Sequence, residues 1–434
     1  MLTILAFIFV VGTLVVIHEL GHLVAARIVG VRVTTFAIGF PPNIFRRRIG
    51  ETDVTIGLLP LGGYVRMAGG APGEGTDDPR EIQNRTRGER LAILLAGPAM
   101  NLILAILIMA GLFLVGLDRR VGLSDPPLVS YVAADSPAGE AGIREGDLIK
   151  AVDDALVSDW RALLEEVAIR GDREADFRVE RGGMDRTLPV QIRSIGPDAF
   201  GDAGVWPPAP PLIGLVAPDT PAAAAGVEPG DLIVSVDDEP VGSTQEVSAL
   251  VRAGGIRPIG FGIEREGRPL PLTITPEWFE DPATGERWPR IGVQFQPPFR
   301  RVQAESVPDA LREATIETTR WATLTLGALG RIFGGDGSVR QLSGPIGIAQ
   351  ASGEAIRRGA GETLMLMAII SLSLGLLNLL PVPVLDGGQI AVLLVETVAR
   401  RDLSLRFRQL LMYAGAAFML LVFVVVIYVD LSKL

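Results

Sequence analysis

His18-Glu19-Leu20-Gly21-His22 lies inside an apolar stretch at the start of the 434-residue chain and contains its only two histidines. On a helix, positions i and i+4 share one face, so both imidazoles can bind one metal ion while Glu19 reaches the water on that ion. A charged residue at mid-membrane costs roughly 3 kcal/mol. Three such polar groups within an apolar stretch therefore indicate a functional metal site.

Two simpler interpretations of this stretch exist. An HExxH motif in a soluble chain can lie on an ordinary surface helix, but the apolar surroundings and the absence of any other histidine disfavour this. A secretory signal peptide needs a basic start and a cleavage site of small residues, whereas the first basic residue here is Arg27, after the apolar run. We therefore expect a retained transmembrane helix over 1–30.

The composition is that of a membrane protein with sizeable soluble parts, because 48% of the residues are hydrophobic and the mean hydropathy is +0.37. Each of four apolar spans is long enough to cross about 30 Å of hydrocarbon. The third is interrupted by Pro381 and Pro383, and such a break is tolerated where protein or a cavity surrounds it. The predicted spans are 1–30, 91–117, 361–399 and 405–430.

Charge predicts how the spans are oriented. The 31–90 segment carries nine arginines and the link between the last two spans carries four, so both should face the cytoplasm. The segment 118–360 is then external, and its 25 basic and 37 acidic residues make it strongly negative. No basic patch favours nucleic acid as a partner. The absence of cysteine excludes disulfides, cysteine ligands and a thiol nucleophile.

The external segment contains an internal repeat with a spacing of 84 residues. Each copy predicts a short helix, capped by Ser136 or Thr220 and with proline in its first turn. A glycine turn, a strand and an acidic turn should follow. The matched segments are 136–138 with 220–222, 141–143 with 225–227, 146–149 with 230–233, and 153–154 with 237–238.

The two copies resemble PDZ domains of bacterial envelope proteases. This resemblance implies that they bind extended peptides by adding a strand to a sheet edge, although two β-rich domains that act only as spacers would fit the same pattern. The predicted parts are a first PDZ domain over 118–199, a stiff proline-rich linker over 200–211, a second PDZ domain over 212–300, and a membrane-surface helix with a linker over 301–360.

The metal site still needs a third ligand, because a catalytic zinc ion takes three protein ligands and a water. Within the later spans the ionisable candidates are Glu362, Asp386 and Glu396. Asp386 is the best of them, since the prolines and glycines of 378–388 open the helix and let a carboxylate point towards the first span. The alternative is that Asp386-Gly387 is only a turn at a helix end.

Taken together, the HExxH motif and the Leu-Asp-Gly-Gly motif at Asp386 resemble the site-2 protease family of intramembrane metalloproteases. The order of parts over the whole chain resembles its branch with tandem PDZ domains. The fold class is then a four-transmembrane-helix core with a membrane-associated β-hairpin and two external α+β PDZ domains. The resemblance implies one zinc ion per chain, bound by His18, His22 and Asp386, with Glu19 as the catalytic residue.

The resemblance also implies an activity and its partners. The protein would hydrolyse peptide bonds within transmembrane segments of single-span proteins in the bacterial inner membrane, surrounded by membrane lipid. Substrates would be anti-sigma factors already cut by a first protease, and remnant signal peptides. Two alternatives stay open: a protease with another client, such as a pheromone precursor or a sporulation factor, and a membrane-anchored PDZ scaffold or chaperone with a vestigial metal site.

Further segments match the family. Residues 59–67 resemble its membrane-associated β-hairpin, which implies that Gly62, Gly63 and Tyr64 contact an unwound substrate, and the Gly-Gly pair by itself also predicts a hairpin. Asn378 is a further candidate substrate contact. Residues 96–101 resemble the family's GPxxN element, and 342–347 resemble the segment that follows its PDZ pair.

Overall fold

The computed structural model divides the chain into two compact units. One unit combines Met1–Leu117 with Val302–Leu434, and the other is Asp118–Arg301. The residues that the structure describes are 2–70, 76–120, 122–123, 125–133, 135–196, 199–280, 285–296, 299–334 and 343–433.

The first unit begins with a helix, a two-stranded sheet and a second helix. The first helix has one buried face along its length, because residues three or four positions apart lie on the same side. The residues of this buried stripe are Ala6, Val10, Leu14, His18, Gly21, His22 and Ala26. The second helix begins with a capping box, in which the Thr86 N–H donates to the Glu89 carboxylate at 2.8 Å and the Glu89 N–H donates to the Thr86 hydroxyl at 3.3 Å. These elements are α1 (Leu2–Ile28), β1 (Val33–Ile49), β2 (Thr52–Met67) and α2 (Arg87–Val115), followed by the short strand β3 (Leu117–Arg120).

Strands β1 and β2 pair antiparallel around a turn at Gly50-Glu51. The register shifts along both strands, so that the first half of β1 lies between two parts of β2. The hairpin turn predicted at Gly62-Gly63 is wrong, because both glycines lie inside β2. The side chains of 59–61 lie outside the description. The paired segments are 43–49 with 52–57, 35–38 with 53–56, and 33–38 with 63–67.

The second unit contains two modules, each with a four-stranded sheet in which the second strand along the chain is at one edge, next to the first. The first module contains β4 (Tyr131–Val132), α3 (Pro137–Glu140), β5 (Leu148–Val152), β6 (Ala155–Leu156), α4 (Trp160–Ala168), β7 (Glu174–Arg181), β8 (Met184–Gln191), β9 (Arg193–Ile195), β10 (Phe200–Asp202) and β11 (Val205–Trp206). The second contains β12 (Ile213–Val216), α5 (Pro221–Ala224), β13 (Leu232–Val236), β14 (Glu239–Pro240), α6 (Thr244–Gly254), β15 (Ile259–Arg265), β16 (Arg268–Ile274), β17 (Glu277–Glu280), β18 (Arg287–Arg290) and β19 (Val293–Phe295).

The sequence predictions for the modules are confirmed at Ser136 but differ from the structure at Thr220 and in the linker. The Ser136 hydroxyl accepts a hydrogen bond from the Gly139 N–H at 3.1 Å and caps α3 as predicted. Thr220 does not cap α5, because its hydroxyl, which donates to the Ala217 carbonyl at 2.7 Å, accepts no hydrogen bond from the helix. The predicted linker 200–211 is shorter in the structure, since β10 pairs with β9 and β11 pairs with β4 inside the first module.

Each module contains the same buried ion pair. In the first, the Asp147 side chain is 0% exposed and accepts from Arg181 Nε at 2.6 Å and Nη2 at 2.7 Å. In the second, Asp231 accepts from Arg265 at 2.7 and 2.8 Å. Both arginines also donate to a glycine carbonyl that the repeat aligns, at 2.7 Å in each module. Such two-pronged pairs hold a strand end against the turn before the sheet.

The strand β20 (Phe299–Val302) ends at the boundary of the two units, and the first unit resumes with α7 (Val307–Gly334), α8 (Pro345–Arg358), α9 (Ala360–Asn378), α10 (Asp386–Ala399) and α11 (Leu405–Ser432). Four helices of the described chain are long and apolar enough to cross a membrane: α1, α2, α9 and α11. The third predicted span is divided into α9 and α10 by the proline-containing segment 379–385.

Carboxylates tie the last helix to its neighbours at both ends. Asp430 accepts the N–H groups of Gly344, Ile346 and Gly347 at 2.9 to 3.1 Å, which caps the start of α8. This gives a structural role to most of the predicted 342–347 segment, of which Leu342 lies outside the described residues. At the other end, the fully buried Glu396 of α10 pairs with Arg408.

Candidate metal centre

The two histidines belong to the buried stripe of α1, and each is 7% exposed. Helix α2 lies close to this stripe because two glycines leave room. A Cβ added at Gly97 would overlap the His22 ring, and one added at Gly21 would overlap the Ala96 carbonyl. The close approach of the two helices therefore places the imidazoles in an enclosed position next to α2.

Asp386 is the first residue of α10, immediately after the break in the third span. The two glycines that follow it are required by the fold, because a Cβ at Gly387 would overlap the Leu379 carbonyl and one at Gly388 would overlap the Val382 carbonyl. The returning chain thus packs tightly against the start of α10. This local geometry directs the Asp386 carboxylate towards α1.

The three side chains meet. Asp386 Oδ2 lies 3.1 Å from His18 Nε2 and 3.4 Å from His22 Nε2. The two Nε2 atoms are 3.3 Å apart. A tetrahedral zinc ion with bonds of about 2.05 Å separates its ligand atoms by about 3.3 Å. Two imidazole nitrogens and a carboxylate oxygen are donors that zinc prefers, so the residues fit this metal in both chemistry and spacing.

The other ring nitrogens have partners that orient the imidazoles. His22 Nδ1 lies 2.8 Å from the Ile93 carbonyl oxygen, so it carries the proton and donates. His18 Nδ1 lies 3.3 Å from the amide of Asn101, whose Oδ1 has no hydrogen-bond partner. Exchanging the two amide atoms of Asn101 lets Oδ1 accept from His18 Nδ1–H. Both Nε2 atoms are then free to bind a cation.

Sequence reasoning did not assign Asn101 a role, although it lies in the GPxxN segment. It is 0% exposed, and its carbonyl accepts a hydrogen bond from the Ser371 hydroxyl at 2.8 Å. A signal was present, because an amide inside an apolar span is costly unless it has a specific partner. The sequence could not name that partner, which lies on another helix.

The remaining predicted residues lie at various distances from this cluster. Gly63 is adjacent, because a Cβ added there would lie 3.0 Å from Glu19 Cγ. Gly62 and Tyr64 flank it on the same part of β2. Asn378 is the last residue of α9, and no hydrogen bond of its side chain is described. Glu396, considered as a ligand, is engaged by Arg408 instead.

Comparison with known proteins agrees with this geometry. The model of Peptidase family M50 matches residues 6–422, so the chain belongs to that family. Two relatives are each 34% identical over 99% of this chain and 98% of their own length: Regulator of sigma-E protease RseP of Salmonella typhimurium and RseP of Escherichia coli. Zinc metalloprotease RasP of Geobacillus kaustophilus is 30% identical over the same shares. The resemblance predicted from the motifs is confirmed.

A comparison with solved structures finds a similarity over a small part of the chain. The PDZ domain of an SdrC-like protein from Listeria monocytogenes is similar over 20% of this chain and 93% of that domain, with 16% identity and a TM-score of 0.18. The assignment of the two modules as PDZ domains therefore stays a prediction.

Proposed function

We propose that this protein is a zinc-dependent, RseP-like site-2 protease that cleaves transmembrane segments of single-span proteins in a bacterial inner membrane. The observation that carries the proposal is the convergence of His18, His22 and Asp386 with separations of 3.1 to 3.4 Å next to an apolar helix pair. The names of the relatives, which include a zinc metalloprotease and regulators of sigma-E, support the metal and the reaction class.

The chemistry needs an activated water and a proton carrier. Bound zinc supplies Lewis acidity and lowers the pKa of its water towards about 7. Glu19, one residue after His18 on the same helix, is the group that would take the water proton and pass it to the leaving amine. The hydrogen bonds from the imidazole Nδ1 atoms hold both rings in position for this step.

The substrate must be extended at the site, because a helix engages its carbonyls in internal hydrogen bonds. The part of β2 around Gly62, Gly63 and Tyr64 pairs on one side with β1, and Gly63 lies beside Glu19. Within the described residues, no strand pairs with its other side. We infer that an unwound substrate adds to this edge as a further strand, with Asn378 as a second contact.

The external modules act in this proposal as PDZ domains that restrict access. They would exclude proteins whose external domains are still bulky, so that anti-sigma factors already cut by a first protease, and remnant signal peptides, become substrates. The arginine-rich β1–β2 region would face the cytoplasm by the positive-inside rule.

The Glu19→Gln variant tests the proposal. It keeps the metal ligands but cannot carry a proton, so cleavage of a single-span substrate by the purified protein should fall at least about 100-fold. Its zinc content should stay near that of the wild type. Glu362→Gln, at the start of α9, is the matched control and should cleave normally. Normal cleavage by Glu19→Gln would overturn the assigned chemistry. If the wild-type protein neither contains zinc nor cleaves the substrate, the scaffold alternative is supported.

A further inference from the structure

A polar cleft of about 410 Å³ lies where α1 ends and the β1–β2 sheet begins. Three of its lining residues are arginines, Arg27, Arg32 and Arg80, and one is an acid, Glu51. The cleft therefore carries an excess of positive charge. None of these residues takes part in the proposed metal chemistry.

The arginines keep donors available. Arg27 donates to the Thr52 hydroxyl at 3.2 Å, which uses one of its five N–H groups. Arg32 Nη2 lies 3.9 Å from Asp78, which is too far for a hydrogen bond, and the Arg32 side chain is 38% exposed. Arg80 is paired with Glu51, whose carboxylate thus occupies one side of the cleft. The remaining donors match an anion with several oxygens, such as a phosphate.

The position of the cleft favours a lipid over a soluble anion. Arg27 lies in the last turn of a membrane-spanning helix, where lipid headgroups begin. Two large apolar side chains accompany the cleft: Ile28, next to Arg27 in sequence, is 79% exposed, and Ile49, which lines the cleft, is 55% exposed. Basic pockets beside spanning helices are typical sites for anionic headgroups. We propose that Arg27, Arg32 and Arg80 bind the headgroup phosphate of an anionic phospholipid.

Such a lipid would hold the sheet at the membrane face. Arg32 precedes β1 directly, and its carbonyl accepts the Ala68 N–H at 2.9 Å just after β2 ends. Its neighbour Val33 pairs with Met67, at the end of the same part of β2 that contains Gly63. Anchoring Arg32 therefore anchors the strand edge beside Glu19. This consequence rests on the proposed function, whereas lipid binding itself does not.

The test uses the full-length protein in a neutral detergent and native mass spectrometry. We expect wild-type protein to retain phosphatidylglycerol in preference to phosphatidylcholine. The double variant Arg27→Gln/Arg80→Gln should lose affinity for phosphatidylglycerol by about 10- to 30-fold. The control Arg46→Gln/Arg47→Gln removes the same charge from exposed positions of β1 outside the cleft. Its affinity for phosphatidylglycerol should change by less than about threefold.

A second variant guards against a folding defect. Glu51→Gln removes the acid that competes for Arg80, so it should bind phosphatidylglycerol more tightly than the wild type. An unchanged or weaker affinity of Glu51→Gln for phosphatidylglycerol would overturn the proposal. An equal loss of phosphatidylglycerol affinity in the two double variants would overturn it as well. Displacement of the lipid by millimolar inorganic phosphate would identify a site for soluble anions instead. Lipid retention by the inactive Glu19→Gln protein keeps this test independent of catalysis.

Discussion

Two kinds of buried polar cluster contrast in this protein: the repeated ion pairs of the second unit and the cluster around Asp386 in the first. In the two modules of the second unit, Asp147 and Asp231 are each matched by an arginine that donates two hydrogen bonds. In the membrane unit, two imidazole nitrogens and Asp386 Oδ2 point at one another without a cationic side chain among their described partners. The first kind is complete as it stands, whereas the second is a set of donors that fits a bound metal ion.

The two kinds of cluster therefore have different roles: one stabilises the fold and the other serves the chemistry. A buried carboxylate with a forked arginine is electrostatically satisfied, and its recurrence at equivalent places of the repeat indicates a device of the fold. Two imidazole nitrogens and a carboxylate that converge within an apolar helix pair form the donor set of a metal site, so their presence there points to chemistry. The predictions that follow test this distinction.

The largest effect should come from Asp386→Ala. It removes one of three proposed ligands, so the zinc content of the purified protein should fall from about one ion per chain towards zero. Inductively coupled plasma mass spectrometry measures this directly. Asp231→Asn, which changes a buried acid of the other kind, should leave the zinc content unchanged. Full zinc content in Asp386→Ala would place the third ligand elsewhere.

Asp147→Asn should produce a large but local loss of stability. It leaves Arg181 without its counter-charge, and breaking such a pair costs about 3 kcal/mol. Hydrogen–deuterium exchange of the full chain should accelerate in β5 and β7 of the first module. The matching strands β13 and β15 should keep their protection, and zinc should remain bound. Equal acceleration in both modules would contradict the view that each pair stabilises its own module.

Asn101→Ala should weaken metal binding without abolishing it. Removing the group that orients His18 typically costs 10- to 100-fold in metal affinity. Competition with a chromophoric chelator measures the change. Ser371→Ala is the control, because the Ser371 hydroxyl contacts only the Asn101 backbone carbonyl in the described contacts. An Asn101→Ala protein with wild-type zinc affinity would remove Asn101 from the metal site.

The smallest effect concerns pH. The Arg265 guanidinium, together with the Glu228 N–H, holds the pKa of Asp231 below its ordinary value despite burial. The unfolded chain therefore binds this proton more readily than the folded one. The stabilisation is fully present above about pH 4 and is lost as the pH falls through the lower pKa of the folded state. Exchange protection of β13 should show this loss, and in Asp231→Asn that acid dependence should be weaker.

Much of the candidate site was predictable from short stretches of sequence. The spacing of His18 and His22 depends only on helix geometry, and Asp386 was identified because few ionisable residues lie in the later spans. The Ser136 cap and the two similar modules follow from local signals as well. These predictions depend on neighbours within a few residues, or on a direct repeat.

Other features depended on partners that no local pattern names. The register of β1 and β2, in which Gly62-Gly63 lies inside a strand, is set by the pairing of distant segments. Thr220 has the residue type of a cap, but its hydroxyl makes no capping hydrogen bond with α5. The cleft brings Arg80 next to the end of α1 although more than fifty residues separate Arg27 from Arg80.

Residue chemistry and the fixed spacings of helices and repeats were enough to identify the candidate metal ligands, the apolar spans and the duplication within 118–300. That Asp386 meets the histidines, that Asn101 orients one of them, and which edge of β2 lies beside Glu19 became known from the folded structure. Those contacts join residues far apart in the chain, and their distances follow from how helices and strands pack.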